Sequence, residues 1–193
     1  MTGKVLLIRH AQVALRWRGR CYGSTDVGLS RDGARQSQEI ARAILRRRDS
    51  RSIAAVFHSG LRRASHLAEL IADTAGLEPR ADERWRERDF GSWEARSWNS
   101  IWRESGNAMD RMLTDPAKFR PGGGETTAEL FARSVRASRA VPREGLVIVV
   151  THGGPIACVR CHLANAGLPQ LAKFRIEEGE TIEFPQSRAH QSI

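Results

Sequence analysis

The sequence lacks long apolar runs. Nothing in its 193 residues approaches the roughly 18 apolar residues that cross a bilayer as a helix, so no membrane association is expected. No charged–apolar–small pattern opens the chain, which argues against a secretory leader and makes a cytoplasmic location the expectation. Cysteine is scarce, with only Cys21, Cys158 and Cys161. An odd, small number without a leader argues against a disulfide framework. Cys158 and Cys161 have the spacing of a zinc or redox pair. They fall in a segment of helical pattern, however, and no second pair completes a metal site, so the thiols are read as buried. There is no internal repeat, low-complexity tract or linker-like stretch. A single domain over residues 1–193 is expected, long enough to bury a sizeable core.

Lysine is also rare, at Lys4, Lys118 and Lys173, so 28 of the 31 basic residues are arginine. The net charge is +9. A basic surface suits a polyanion or an anionic small molecule. The arginines are spread along the chain, which favours a solvated basic surface and argues against a nucleic-acid partner. The rival reading is a nucleic-acid binder, which would show steep salt dependence. Trp85, Trp93, Trp98 and Trp102 interleave with arginines and could stack bases. The helical spacing of Trp98 and Trp102 favours packing instead, with an aromatic cap over a substrate pocket as the intermediate reading.

Strand-like and helix-like segments alternate, which predicts an α/β fold. Apolar runs at 5–8, 53–57 and 146–150 read as strands, and the last carries no charge, as in a strand buried on both faces. Ser30 can cap a helix reaching about residue 48, with Ser37, Ile40, Ala41, Ile44 and Leu45 on one face. Residues 61–75 read as a helix that stops at Gly76. Residues 79–82 read as an edge strand, 95–113 as a helix, 121–124 as a loop and 125–140 as a helix opened by Glu125. Pro155 suits a helix's first turn. Segments 174–176 and 181–184 read as a closing hairpin around Glu178 and Gly179.

Two histidines come directly after strand-like runs. His10 stands next to Arg9, and His152 stands before Gly153 and Gly154 at the start of a helix. Ligands of parallel sheets bind at the carboxyl ends of strands, and a helix N-terminus favours an anion. Ser59, Arg62 and Arg63 come after the second strand, and Glu87 lies in a loop before Gly91. A phosphate monoester needs the groups this set holds. Arginine forks bind its oxygens, a neutral imidazole attacks phosphorus, and a carboxylic acid protonates the leaving oxygen. Fixed cations can stabilise the transferring group without a metal. One cation about 4 Å from one phosphate charge contributes roughly 4 kcal/mol at an effective dielectric of 20, much of it offset by desolvation.

From Lys4 to about Phe184 the chain resembles the histidine phosphatase superfamily, which includes phosphoglycerate mutase-like enzymes. The resemblance rests on five segments in order: Leu7-Ile8-Arg9-His10-Ala11, Ser59-Gly60-Leu61-Arg62-Arg63, Trp85-Arg86-Glu87-Arg88-Asp89-Phe90-Gly91, Gly123-Gly124-Glu125-Thr126 and Thr151-His152-Gly153-Gly154. It implies a three-layer α/β/α sandwich around a mostly parallel sheet. It also implies that His10 becomes phosphohistidine, that Arg9, Arg63 and His152 bind the phosphoryl oxygens, and that Glu87 is the proton donor. Gln12, Tyr22, Gly23 and Gly153 join them as candidate substrate contacts. The chain departs from the family pattern at Ala11, Arg16 and Leu67.

The implied activity is hydrolysis of a small-molecule phosphate monoester with no metal and no cofactor, with a homodimer left open. The loop Arg20-Cys21-Tyr22-Gly23-Ser24-Thr25-Asp26-Val27 resembles that of α-ribazole phosphatases, which would place the chain in cobalamin biosynthesis. The alternatives are mutase-type phosphoryl transfer, dephosphorylation of phosphohistidine proteins, and a non-catalytic phosphate-binding scaffold.

Overall fold

The computed structural model describes residues 3–47 and 53–186. Five strands form one sheet: β1 (Lys4–Arg9), β2 (Ile53–His58), β3 (Arg80–Ala81), β4 (Leu146–Thr151) and β5 (Thr181–Pro185). Their order is β3-β2-β4-β1-β5. The first four run parallel, and β5 pairs antiparallel with β1. Among the described residues six α-helices accompany them: α1 (Arg31–Arg47), α2 (Arg62–Ala75), α3 (Trp98–Ser105), α4 (Arg111–Thr114), α5 (Thr127–Ala140) and α6 (Gly153–Leu163).

The layers arise from the two-residue period of the central strands. Leu6, Ile8, Ile148 and Val150 pack on one face with Ala41 and Ile44 of α1 and Leu67 and Ile71 of α2. Val5, Leu7, Val147 and Val149 pack on the other face with Trp85, Ala137 of α5, and Ile156 and Val159 of α6. Both faces of β1 and β4 are covered, which explains their unbroken apolar runs. This is the expected three-layer sandwich.

The local signals account for most boundaries. The Ser30 Oγ accepts the Gly33 N–H at 2.9 Å and starts α1. Gly76 ends α2 in the left-handed conformation, with φ of 68°. The end of α1 expected near Arg48 lies outside the described residues. α5 begins two residues later than expected, because Thr126 caps it. Its hydroxyl accepts the Glu129 N–H, and the Glu129 carboxylate accepts the Thr126 N–H, forming a capping box.

Two expectations are corrected. Residues 95–113 are not one helix. Gly106, with φ of 58°, ends α3, a 3-10 stretch covers Gly106–Asp110, and α4 is a separate single turn. Trp98 and Ile101 pack inward with Cys21 and Trp93, but Trp102 is 64% exposed, so the aromatic stripe is shorter than its spacing implies. The closing hairpin does not form either. Leu168–Phe174 is a 3-10 helix, and β5 adds to the open edge of β1 instead. That edge leaves a row of unpaired backbone groups, and β5 satisfies them.

Candidate active site

The register of the sheet brings the distant motifs together. Arg9 pairs with Thr151, and Ile8 and His58 each pair with Val150, so three strands end level. The residues next in the chain, His10, Ser59 and His152, therefore meet at one carboxyl edge. The rings of His10 and His152 lie 5.1 Å apart at an interplanar angle of 60°.

His10 is almost wholly buried, and its Nδ1 lies 2.8 Å from the Ala11 carbonyl oxygen. A carbonyl only accepts, so Nδ1 carries the proton and Nε2 keeps its lone pair. Burial, then the Arg63 and Arg9 charges, pull the His10 pKa down to about 3, against the smaller opposing effect of the Ala11 bond. The ring is thus neutral and held in the tautomer a nucleophile needs. Ala11, one of the departures from the family pattern, is itself fully buried.

Arg63 is completely buried at the start of α2. It donates to the carbonyls of Thr25 at 2.7 Å and Gly23 at 2.6 Å, holding the loop that carries Tyr22. Glu94 fastens the same loop. Its carboxylate accepts the N–H groups of Ser24 at 2.9 Å and Thr25 at 3.1 Å, and it also binds the Thr25 hydroxyl. Arg9 donates to the Ile176 carbonyl at 2.5 Å.

His152 is fully buried at the N-terminus of α6. Its Nε2 lies 2.8 Å from the Ser59 Oγ. Burial, then Arg63, place its pKa well below the usual histidine value. Seven buried side-chain polar atoms have no hydrogen-bond partner among the described residues, and three of them, Arg9 Nε, Arg63 Nε and His152 Nδ1, belong to this site. Buried polar atoms are nearly always paired, so this cluster around His10 marks a place for an anion.

Glu87 faces the start of α6. Its Oε1 accepts the Arg88 N–H at 2.9 Å and its Oε2 accepts the Gly154 N–H at 3.0 Å. Each oxygen retains a second lone pair where a proton can reside. A Cβ at Gly154 would collide with Oε1 of Glu87, so any side chain there would push the carboxylate out of this position. The loop is fixed from behind. Thr151 Oγ1 donates to the Trp85 carbonyl at 2.6 Å, and Arg133 donates to the carbonyls of Arg86 at 2.7 Å and Glu87 at 3.0 Å. Arg133 is held in turn by the Glu125 carboxylate at 2.6 Å and 2.9 Å.

Arg9, His10, Tyr22, Gly23, Arg63, Glu87 and Gly153 line one cavity of about 450 Å³, with His152 buried beside His10. Tyr22 donates to Glu178 Oε1 at 3.3 Å. Gln12 does not join them. It is exposed, and its side-chain oxygen accepts the Ser30 hydroxyl at 2.8 Å. Of the other departures, Leu67 is core and Arg16 is exposed on a 3-10 turn. Sequence reasoning missed Glu94 and Arg133, which lie among many charged neighbours and carry no distinguishing spacing. It named Ser59 and Glu125 only as parts of motifs. No group of three or more His, Cys, Asp or Glu able to hold a metal ion occurs among the described residues.

Buried histidines that stay neutral carry a stability consequence. The unfolded chain binds protons on His10 near pH 6.5, whereas the folded chain does so only near pH 3. Between these values the unfolded state binds more protons, so this contribution to stability falls as pH falls. From about pH 6 to pH 5, wild type should lose roughly 1 kcal/mol more unfolding free energy than His10→Asn. Urea denaturation at the two pH values measures the difference, and equal losses would show that His10 titrates normally in the folded chain.

The family described as histidine phosphatase superfamily (branch 1) matches residues 5–192. A Hydrogenobacter thermophilus protein named "Putative phosphoserine phosphatase 2" is 27% identical over 94% of this chain and 88% of its own. A Salmonella choleraesuis protein named "Probable phosphoglycerate mutase GpmB" is 29% identical over 90% of this chain and 79% of its own. The crystal structure of the α-ribazole phosphatase from Shigella flexneri shares the fold, with a TM-score of 0.77 and 22% identity over 93% of this chain and 89% of its own. The chain with the His10, Arg63, Glu87 and His152 constellation belongs to the histidine phosphatase superfamily, branch 1.

Proposed function

We propose that this histidine phosphatase hydrolyses small phosphate monoesters through a phosphohistidine on His10. The observation that carries the reading is the set of unpartnered buried nitrogens, Arg9 Nε, Arg63 Nε and His152 Nδ1 (a donor when the Ser59 hydroxyl donates to Nε2), beside a neutral His10 whose Nε2 is free. A phosphoryl group supplies the acceptors those donors lack.

The steps balance on these residues. His10 Nε2 attacks phosphorus, the P–O bond to the leaving group breaks, and protonated Glu87 gives its proton to the departing oxygen. A water then attacks phosphorus, the P–N bond breaks, and ionised Glu87 takes the proton from the water. Arg9, Arg63 and the N-terminus of α6 stabilise the oxygens in both steps. The charge these groups supply serves the reaction without a metal ion.

The finer reading is α-ribazole 5′-phosphate as substrate, supported by the loop at Cys21–Val27 and by the shared fold. The competing reading is mutase-type transfer, supported by the mutase-named relatives. A panel of α-ribazole 5′-phosphate, phosphoserine, 3-phosphoglycerate and p-nitrophenyl phosphate separates them. A kcat/KM for α-ribazole 5′-phosphate at least tenfold above the others, about 1.4 kcal/mol of transition-state binding, is expected. Turnover of p-nitrophenyl phosphate without that preference would remove the cobalamin assignment. Phosphoryl return to a second position of 3-phosphoglycerate would favour the mutase.

A further inference from the structure

The cavity does not end at the phosphate site. Beyond His10 and Glu87 its wall is built from Phe90, Trp98, Met109, Met112, Leu113 and Leu130. This wall exists because Gly106 breaks the helix. The chain turns after α3, and the 3-10 stretch and α4 bring Met109, Met112 and Leu113 to the cavity. Phe90 and Trp98 meet edge to face, with ring centroids 5.6 Å apart.

From this wall we infer that the enzyme selects phosphate monoesters with a bulky apolar leaving group, and that Trp98, Met109 and Met112 determine that specificity. The inference rests on the phosphatase reading above, because it places the leaving group on the far side of the phosphorus from His10.

Three considerations favour it. The volume of about 450 Å³ falls in the range of roughly 300–1,000 Å³ found for sites that enclose whole organic ligands. Methionine is flexible and polarizable, and suits an irregular or flat apolar ligand, including an aromatic ring. Of the charged groups at this end, Arg20, Asp110 and Arg175 are exposed, and the buried Arg88 donates to the Glu125 carbonyl and stacks on the Phe90 ring at 5.9 Å. Arg20 spends an N–H on the Ala95 carbonyl at 3.0 Å. Exposed charges are screened by salt, while a guanidinium plane also stacks on a flat ring. A three-carbon acid such as phosphoserine would leave the apolar wall untouched.

The test compares 2-phenylethyl phosphate with ethyl phosphate. Both release a primary alkoxide, so the ratio of their kcat/KM values reads the phenyl group and not leaving-group chemistry. The expected ratio is at least tenfold, the effect of burying one large apolar group. In Met112→Lys the ratio should fall below about threefold, since an ammonium at this half-buried position makes the wall polar and disfavours an apolar neighbour. Because each ratio is taken within one preparation, loss of folded protein cancels. Turnover of both esters at similar rates in wild type would overturn the apolar subsite and leave the phosphatase reading standing. A ratio unchanged in Met112→Lys would overturn the assignment to this wall. No turnover of either ester would overturn the phosphatase reading and this inference with it.

Discussion

His10→Ala is expected to remove turnover of every phosphate monoester, leaving less than about one part in a thousand of wild-type kcat, while the chain stays folded. The size of the effect reflects covalent catalysis. Without Nε2 there is no first acceptor for the phosphoryl group, and Glu87 has no bond cleavage to assist. The fold survives because the ring makes one hydrogen bond, to the adjacent Ala11 carbonyl, and the strand pairing beneath it does not depend on the side chain. The variant does leave a buried gap beside His152, which costs some stability. Unchanged far-ultraviolet circular dichroism with abolished turnover is the predicted pair of results. Residual turnover above a thousandth of wild type would mean that water attacks phosphorus directly. The same variant removes the scaffold alternative if wild type is active, since a mere binding protein has no activity to lose.

Glu87→Gln has a second, more discriminating signature. For an alkyl phosphate the departing alkoxide needs a proton, and loss of general-acid help is expected to cost about 100-fold or more in kcat/KM. p-Nitrophenolate leaves without one, so its cleavage step should fall by less than about tenfold. The amide also brings an NH₂ opposite one of two backbone donors, from Arg88 and Gly154, that now point at carboxylate oxygens. That mismatch disturbs position, but it disturbs both substrates equally. Measuring both esters in one variant therefore separates proton donation from placement. Equal losses would deny Glu87 the acid role and leave it as a positioning residue at the start of α6.

Much of this site was legible in the sequence because parallel strands impose a simple rule. A run such as Leu146–Thr151 that carries no charge must be covered on both faces, and the residue after it emerges at the ligand-binding edge. His10, Ser59 and His152 could be placed together on that ground alone. The supporting residues were not legible. Arg133 reaches the carbonyls behind Glu87 from a neighbouring helix, and Glu94 holds the Tyr22 loop from across a turn. Contacts to backbone groups leave no pattern in side-chain spacing. Gln12 shows the opposite failure: adjacency to the nucleophile motif is not orientation, and its side chain turns to Ser30.

The errors in the fold have the same physical origin. The spacing of Trp98, Ile101, Trp102 and Met109 is helical, but Gly106 adopts a positive φ and ends the helix. Glycine accepts that conformation without a Cβ clash, so it can override the apolar period. The sequence identifies the closing strand but not its partner. Glu178 and Gly179 do form a turn, yet Gly179 donates back to the carbonyls of Arg9 and His10 at 3.2 Å, and the strand after it continues along β1. Local signals identify a strand more readily than they identify which edge it completes.

The most direct test of the account is acid-free quenching during turnover of p-nitrophenyl phosphate, with intact-mass analysis and peptide mapping of the quenched protein. A single phosphoryl adduct on His10 is predicted in wild type, more abundant in Glu87→Gln, where water attack on the P–N bond lacks its base, and absent in His10→Ala. An adduct mapped to any other residue, or none in a Glu87→Gln enzyme that still turns over, would contradict catalysis through phospho-His10.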